Sequence, residues 1–193
     1  NITNSVIALG GEDGIEVDCC DSTVTIADSL ILENGSNPAQ DNGIDFDDGN
    51  LSVLRTAVAH NPRWGIVYDG DGSFVLRDSA VTDNQFGLFL GISGIEVTVV
   101  DNVISGHTGT GLILDLSTNS SLSEEGISGN IITRNNSGIY NQSDGQRTFL
   151  IHGGDLTGNA KFDFENNSPV SITARNVFWS EPTMSEIAAS SQN

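Results

Sequence analysis

The residues best equipped for chemistry are carboxylates that recur at nearly constant spacing. Asp45, Asp47 and Asp48 are answered one repeat later by Asp69 and Asp71. Asp69-Gly70-Asp71-Gly72-Ser73 reads as the first half of an Asp/Gly calcium loop without its distal Glu. Carboxylates stacked ~4–5 Å apart repel by ~1 kcal/mol per pair even in water. A Ca2+ ion, with about six to eight oxygen ligands, is the cofactor expected to offset that repulsion, held by these five aspartates. No phosphate-cradling loop points to an organic cofactor. The same acids offer an alternative, in which Asp45, Asp47 and Asp69 form an acidic catalytic cluster with Arg63 as base. Arg55 and Arg77 fall on other faces. His60, His107 and His152 occupy unrelated slots, and neither a Ser/His/Asp order nor a Cys/His zinc spacing occurs. Cys19 and Cys20 are adjacent, so a bond between them would close no useful loop.

A second group is apolar where solvent is expected. Val67, Phe89, Ile113 and Tyr140 each lie two residues after a recurring glycine, and Trp64 and Phe86 immediately precede theirs. Alternation along a strand turns Val67, Phe89, Ile113 and Tyr140 outward, near the acids, and Trp64 and Phe86 sit one coil apart beside them. Such a row suits a covering loop or subunit, or a platform on which sugar rings stack. All six are candidate ligand-binding residues.

What must position these groups is a repeat. Gly-aliphatic-x-apolar recurs as Gly14-Ile15-Glu16-Val17, Gly43-Ile44-Asp45-Phe46, Gly65-Ile66-Val67-Tyr68, Gly87-Leu88-Phe89-Leu90, Gly111-Leu112-Ile113-Leu114 and Gly138-Ile139-Tyr140-Asn141. A degenerate copy is Lys161-Phe162-Asp163-Phe164. Between copies lies an alternating segment such as Val24-Thr25-Ile26 or Phe74-Val75-Leu76, then a short apolar step ending in Asn, as at Asn34, Asn61, Asn84 and Asn135. Three period-two segments per unit predict strands, each paired in parallel with its counterpart one turn on. The expected architecture is all-β, a right-handed parallel β-helix of about seven coils with three short strands per coil, filling residues 1–193 as one domain. Residues 1–9 begin in mid-repeat, and residues 176–193 read as a terminating segment. On this register one outward row runs Glu16, Asp45, Val67, Phe89, Ile113, Tyr140, Asp163. The next runs Asp18, Asp47, Asp69, Gly91, Asp115, Gln142, Glu165. Longer connections at 115–126 and 141–148 stack on one edge and predict a trough beside both rows.

The stretches from Val24 to Asn34 and from Phe74 to Leu88 resemble the pectin-lyase-like family of right-handed parallel β-helices. That family implies lyases, hydrolases, adhesins and non-catalytic scaffolds alike, so the resemblance implies the fold more sharply than the function.

Composition narrows the partners. Against 26 acidic residues stand 7 basic ones, a formal charge of −19 over 193 residues. Clustered cations for nucleic acid or anionic lipid are lacking, and no apolar run suits a membrane span. Acid-rich, Lys-poor, Asn/Ser/Gly-rich composition suits a secreted or cell-surface location. The leading expectation is a non-catalytic β-helix that presents an acidic and aromatic face to a polysaccharide or another protein. A Ca-dependent polysaccharide lyase or glycoside hydrolase is one alternative. The other is a subunit that associates end to end, since a solenoid leaves strand edges at its ends.

Overall fold

In a computed structural model, residues 1–18, 21–92, 96–117, 120–144, 149–169 and 171–180 are described. Among them the chain forms a parallel β-helix with no helical segment: sheets of eight, six and seven strands, each strand pairing with the one three elements away until the last coil, where Ser137–Asn141 pairs with Phe164–Asn166 and Phe149–His152 with Ile172–Arg175. Cys19, Cys20, Asn119, part of the 141–148 connection and the tail from residue 181 lie outside the described residues. In each coil the chain passes through a first-sheet strand (Phe74–Arg77), a second-sheet strand (Ala80–Thr82) and a third-sheet strand (Phe86–Ile92). Inward side chains stack on their equivalents. Ile31, Val58, Val81, Ile104 and Ile132 line the second sheet, and Ile44, Ile66, Leu88, Leu112 and Ile139 the third, all fully buried. Phe46 stacks on Tyr68, centroids 5.7 Å apart. Each aliphatic rung contributes roughly 1.5–3 kcal/mol on burial.

Two sharp corners bound the second-sheet strands, and non-glycine residues turn most of them, Gly106 after Val103–Ser105 and Gly129 before Ile131–Thr133 being glycine corners. Asn4, Asp28, Arg55, Asp78 and Asp101 precede the strand at φ 47–56°; Leu9, Glu33, His60, Asp83 and Arg134 follow it at φ 53–59°. Left-handed backbone costs L-residues roughly 1–2 kcal/mol each. Unbroken pairing offsets this, since the Asp28, Arg55 and Asp101 N–H groups each donate to the next coil at 3.0 Å. Polar ladders stack just behind the corners. At the first corner the backbone N–H groups of Ser29, Thr56 and Ser79 donate to Thr56, Ser79 and Asn102 side chains. At the second, Asn34, Asn61, Asn84, His107, Asn135 and Asn159 form successive rungs. The Asn84 side-chain oxygen accepts from both the Asn61 backbone N–H at 2.8 Å and the Asn61 amide at 3.0 Å. The amides of Asn34, Asn61, Asn84 and Asn135 are buried yet satisfied, which low-dielectric surroundings make obligatory.

This ladder explains the recurring glycine better than a turn does. A Cβ at Gly65 would sit 2.4 Å from Val81 and 2.8 Å from the Asn84 amide; at Gly43 it would sit 2.6 Å from the Asn61 amide. The motif glycines are spaces for the asparagines. His107 departs from the pattern, its Nδ1 accepting from the Asn84 N–H and its Nε2 donating to the Val81 carbonyl.

Candidate functional site

The third sheet carries the outward rows in the expected register. Asp45 is paired with Val67, Val67 with Phe89, Phe89 with Ile113 and Ile113 with Tyr140. All five are half-buried. The last rung differs: Tyr140 pairs with Glu165, not Asp163, because the degenerate copy lacks the glycine and slips by one full side-chain period. The acidic row therefore ends near Asn167, whose N–H donates to the Asn141 carbonyl, rather than at Glu165.

Trp64 and Phe86 are also register partners, with rings stacked at 4.5 Å. Trp64 is only 9% exposed, since Phe89 tilts against it at 5.7 Å. Trp64 therefore supports the platform from beneath, and Phe86 and Phe89 present its surface. Beside Phe89 the backbone is glycine for a steric reason. A Cβ at Gly91 would lie 2.5 Å from the Phe89 ring and 2.9 Å from an Asp69 oxygen. The missing side chain lets the ring and the carboxylate lean together over one rung. An open trough of about 280 Å³ results, lined by Asp69, Phe89, Gly91, Asp115, Ser117 and Asp144. Ser117 and Asp144 come from the two long connections, so the edge expected to border the trough does border it. Gln142 donates to Asp115 at 2.9 Å and fixes its carboxylate.

The five aspartates proposed as one ion site fall into three groups. Asp45 accepts from the Asn42 side chain at 2.7 Å and lies near Asp13 and Arg63. Burial, and then the charges of Asp13 and Asp47, push its carboxyl up to about 6, against the opposing pull of Asn42 and Arg63. Asp47 and Asp69 belong to the trough row. Burial raises both, assisted at Asp47 by Asp18 and at Asp69 by Asp47 and Asp115. Asp48 and Asp71 join Asp21, their carboxylate oxygens within 4.8 Å of one another. A hydrogen bond to Asp48 and that neighbour's charge hold the Asp71 carboxyl above its ordinary range. The charge of Arg63 is felt by one expected acid, Asp45. Arg55 is tied to Asp28 at 2.7 and 2.8 Å on another corner. Asp13, Asn42, Asp21 and Asp144 were not singled out by sequence; they sit in connections where strand alternation gives no signal.

A family model described as periplasmic copper-binding protein (NosD) matches residues 3–191. The chain belongs to the NosD family. This is a family of right-handed parallel β-helices with the pectin-lyase-like fold, in agreement with the resemblance carried by the repeats. Its periplasmic description accords with the secreted or surface location expected from composition. No curated protein and no solved structure matches the chain. Among the described residues no helix is long and apolar enough to cross a membrane.

The family description corrects the expected cofactor, because the metal it names is copper, not Ca2+. The aspartates assigned to calcium also fail to converge as a set, for the register places Asp45, Asp47 and Asp48 on three different lines of the coil. Copper favours imidazole, thiolate and thioether donors. Among the described residues the one group of three or more convergent His, Cys, Asp or Glu side chains is Asp21, Asp48 and Asp71, all oxygen donors. Both ring nitrogens of His107 are engaged by backbone, and His60 and His152 lie on different sheets and coils. The described residues thus do not fit a nitrogen- or sulfur-rich copper centre.

Proposed function

We propose that this NosD-family chain is a periplasmic or surface β-helix whose third-sheet trough binds a polysaccharide without turning it over. The observation that carries the reading is the arrangement at Gly91, where a half-buried Phe89 ring lies beside carboxylates of Asp69 and Asp115. A sugar ring can lay its C–H face on Phe89 and donate hydroxyl hydrogens to the acids. Val67, Phe86, Ile113 and Tyr140 extend the same surface along the rod, and Trp64 braces it. The carboxylates of this trough repel uronates, so neutral or amino sugars are the substrate class. Titration with cello-, chito- and galacturono-oligosaccharides tests this. The first two should bind and Phe89→Ala should abolish binding. Preference for the uronate, or no loss in the variant, would overturn it. Release of new reducing ends, abolished by Asp69→Asn, would replace binding with hydrolysis.

The family description favours a second reading, in which the chain handles copper. The soft donors of this sequence are Cys19, Cys20 and Met184, and adjacent thiols suit Cu(I). Competition of the reduced protein against a Cu(I) chelator should show uptake that Cys19→Ser/Cys20→Ser removes. Unchanged uptake in that variant would place copper elsewhere.

A further inference from the structure

The outer face of the second sheet is a separate surface. Its strands are three residues long, and the first residue of each points out: Val6, Leu30, Ala57, Ala80, Val103 and Ile131 stand in one register row. Val6 is 67%, Leu30 44%, Val103 37% and Ile131 43% exposed. These are four of the seven large exposed apolar side chains among the described residues, so the apolar exposure is concentrated in one line and not scattered. The row is also shaped. Ala57 and Ala80 at its middle leave a dent between Leu30 and Val103, an open groove of about 600 Å³.

Charge borders the row on both sides. The corner before each strand contributes Asp28, Arg55, Asp78 and Asp101, and Arg55 is already spent on Asp28. The corner after it contributes Glu33, His60, Asp83 and Arg134. Both borders are net negative. Every inner strand is paired on both edges, so between its two end strands nothing can add to this sheet by backbone pairing, and a partner lying across the face must read it through side chains. A second copy cannot supply the complementary charge, because the chain carries 7 basic residues against 26 acidic ones. Anionic lipid is opposed for the same reason.

We infer that the second-sheet face docks a basic amphipathic helix of a partner protein. The helix lies along the rod, seats an aliphatic side chain over Ala57 and Ala80, and sets its Lys or Arg side chains against Asp78 and Asp101. Six rungs at ~4.8 Å span ~24 Å, the length of a helix of ~16 residues. Helical neighbours ~5–6 Å apart match the rung spacing closely enough to interdigitate.

The probe is a synthetic 16-residue Leu/Lys peptide with leucines at i, i+3, i+4 and i+7, with a Leu/Glu peptide as its counterpart. The Leu/Lys peptide should shift the Ala57 and Ala80 methyl resonances, and Ala80→Arg should weaken binding about ten-fold or more. Asp78→Asn/Asp101→Asn, which touches only exposed side chains, should weaken it in the same direction while Asp69→Asn/Asp115→Asn in the trough leaves it unchanged. Equal loss in the trough variant, binding of the Leu/Glu peptide, unperturbed alanine methyls, or binding to anionic phosphatidylglycerol vesicles in place of the peptide would each overturn the proposal.

Discussion

His107 replaces asparagine at one rung of a buried ladder, and that single change makes stability depend on pH in a calculable way. The ring is 2% exposed, and burial pulls its pKa from 6.5 to about 4, against its backbone hydrogen bonds with Asn84 and Val81 and the charge of Asp83. Because the folded value is the lower one, the unfolded chain takes up the proton first. Stability contributed by the neutral ring is therefore complete above pH ~6.5 and lost progressively as pH falls toward ~4. At about 1.4 kcal/mol per pH unit the full loss is roughly 3 kcal/mol, of which about 2 kcal/mol falls between pH 7 and pH 5. Asp45 opposes this. Its folded value lies above its unfolded one, so its contribution grows as pH drops through about 6. Comparison with His107→Asn removes that complication, because Asp45 and the other acids cancel between the two proteins. The substitution supplies the side chain that the neighbouring rungs carry. Urea unfolding of both at pH 7 and pH 5 should show the wild type losing about 2 kcal/mol relative to His107→Asn on acidification. A gap between them that is independent of pH, or one that moves in favour of the wild type, would refute the reasoning.

Asn84→Ala should destabilise by about 2 kcal/mol or more, since it strands the buried Asn61 amide and N–H and the Val58 carbonyl; chemical denaturation reads this directly. Gly65→Ala should be destabilising by about 1–3 kcal/mol through overpacking against Val81 and Asn84, and a protein of unchanged midpoint would show that the glycine is not a packing requirement. The Asp45 carboxyl should titrate near 6 by NMR, and Arg63→Ala should move its midpoint up, because the guanidinium favours the charged form.

The fold was readable because its signals are local and repeated. A glycine, an inward aliphatic and an outward residue recur at each coil, and period-two alternation assigns Val67, Phe89, Ile113 and Tyr140 to one face without any distance information. Readability failed where a group depends on a neighbour coil. Asparagines were visible at strand ends, yet nothing in one coil says that Asn84 accepts from Asn61, or that His107, read as a lone histidine in an unrelated slot, is the next rung. Asn34, Asn135 and Asn141 each head a polar Asn-x-Ser triplet, yet they are buried and bonded. Trp64 stands beside the outward row in sequence, but its ring is buried against Phe86 and Phe89. The aspartates resolved into three lines because corners and connections, unlike strands, follow no alternation. The second-sheet row escaped notice because a three-residue strand shows too little pattern to mark an outer face.

The central claim is that the rungs of the third sheet form one continuous ligand surface. Mapping NMR shifts on adding a chito-oligosaccharide tests it most directly. The account predicts perturbations confined to Val67, Phe89, Ile113, Tyr140 and the flanking Asp69 and Asp115. Perturbations centred on the first or second sheet, with the third unaffected, would contradict it.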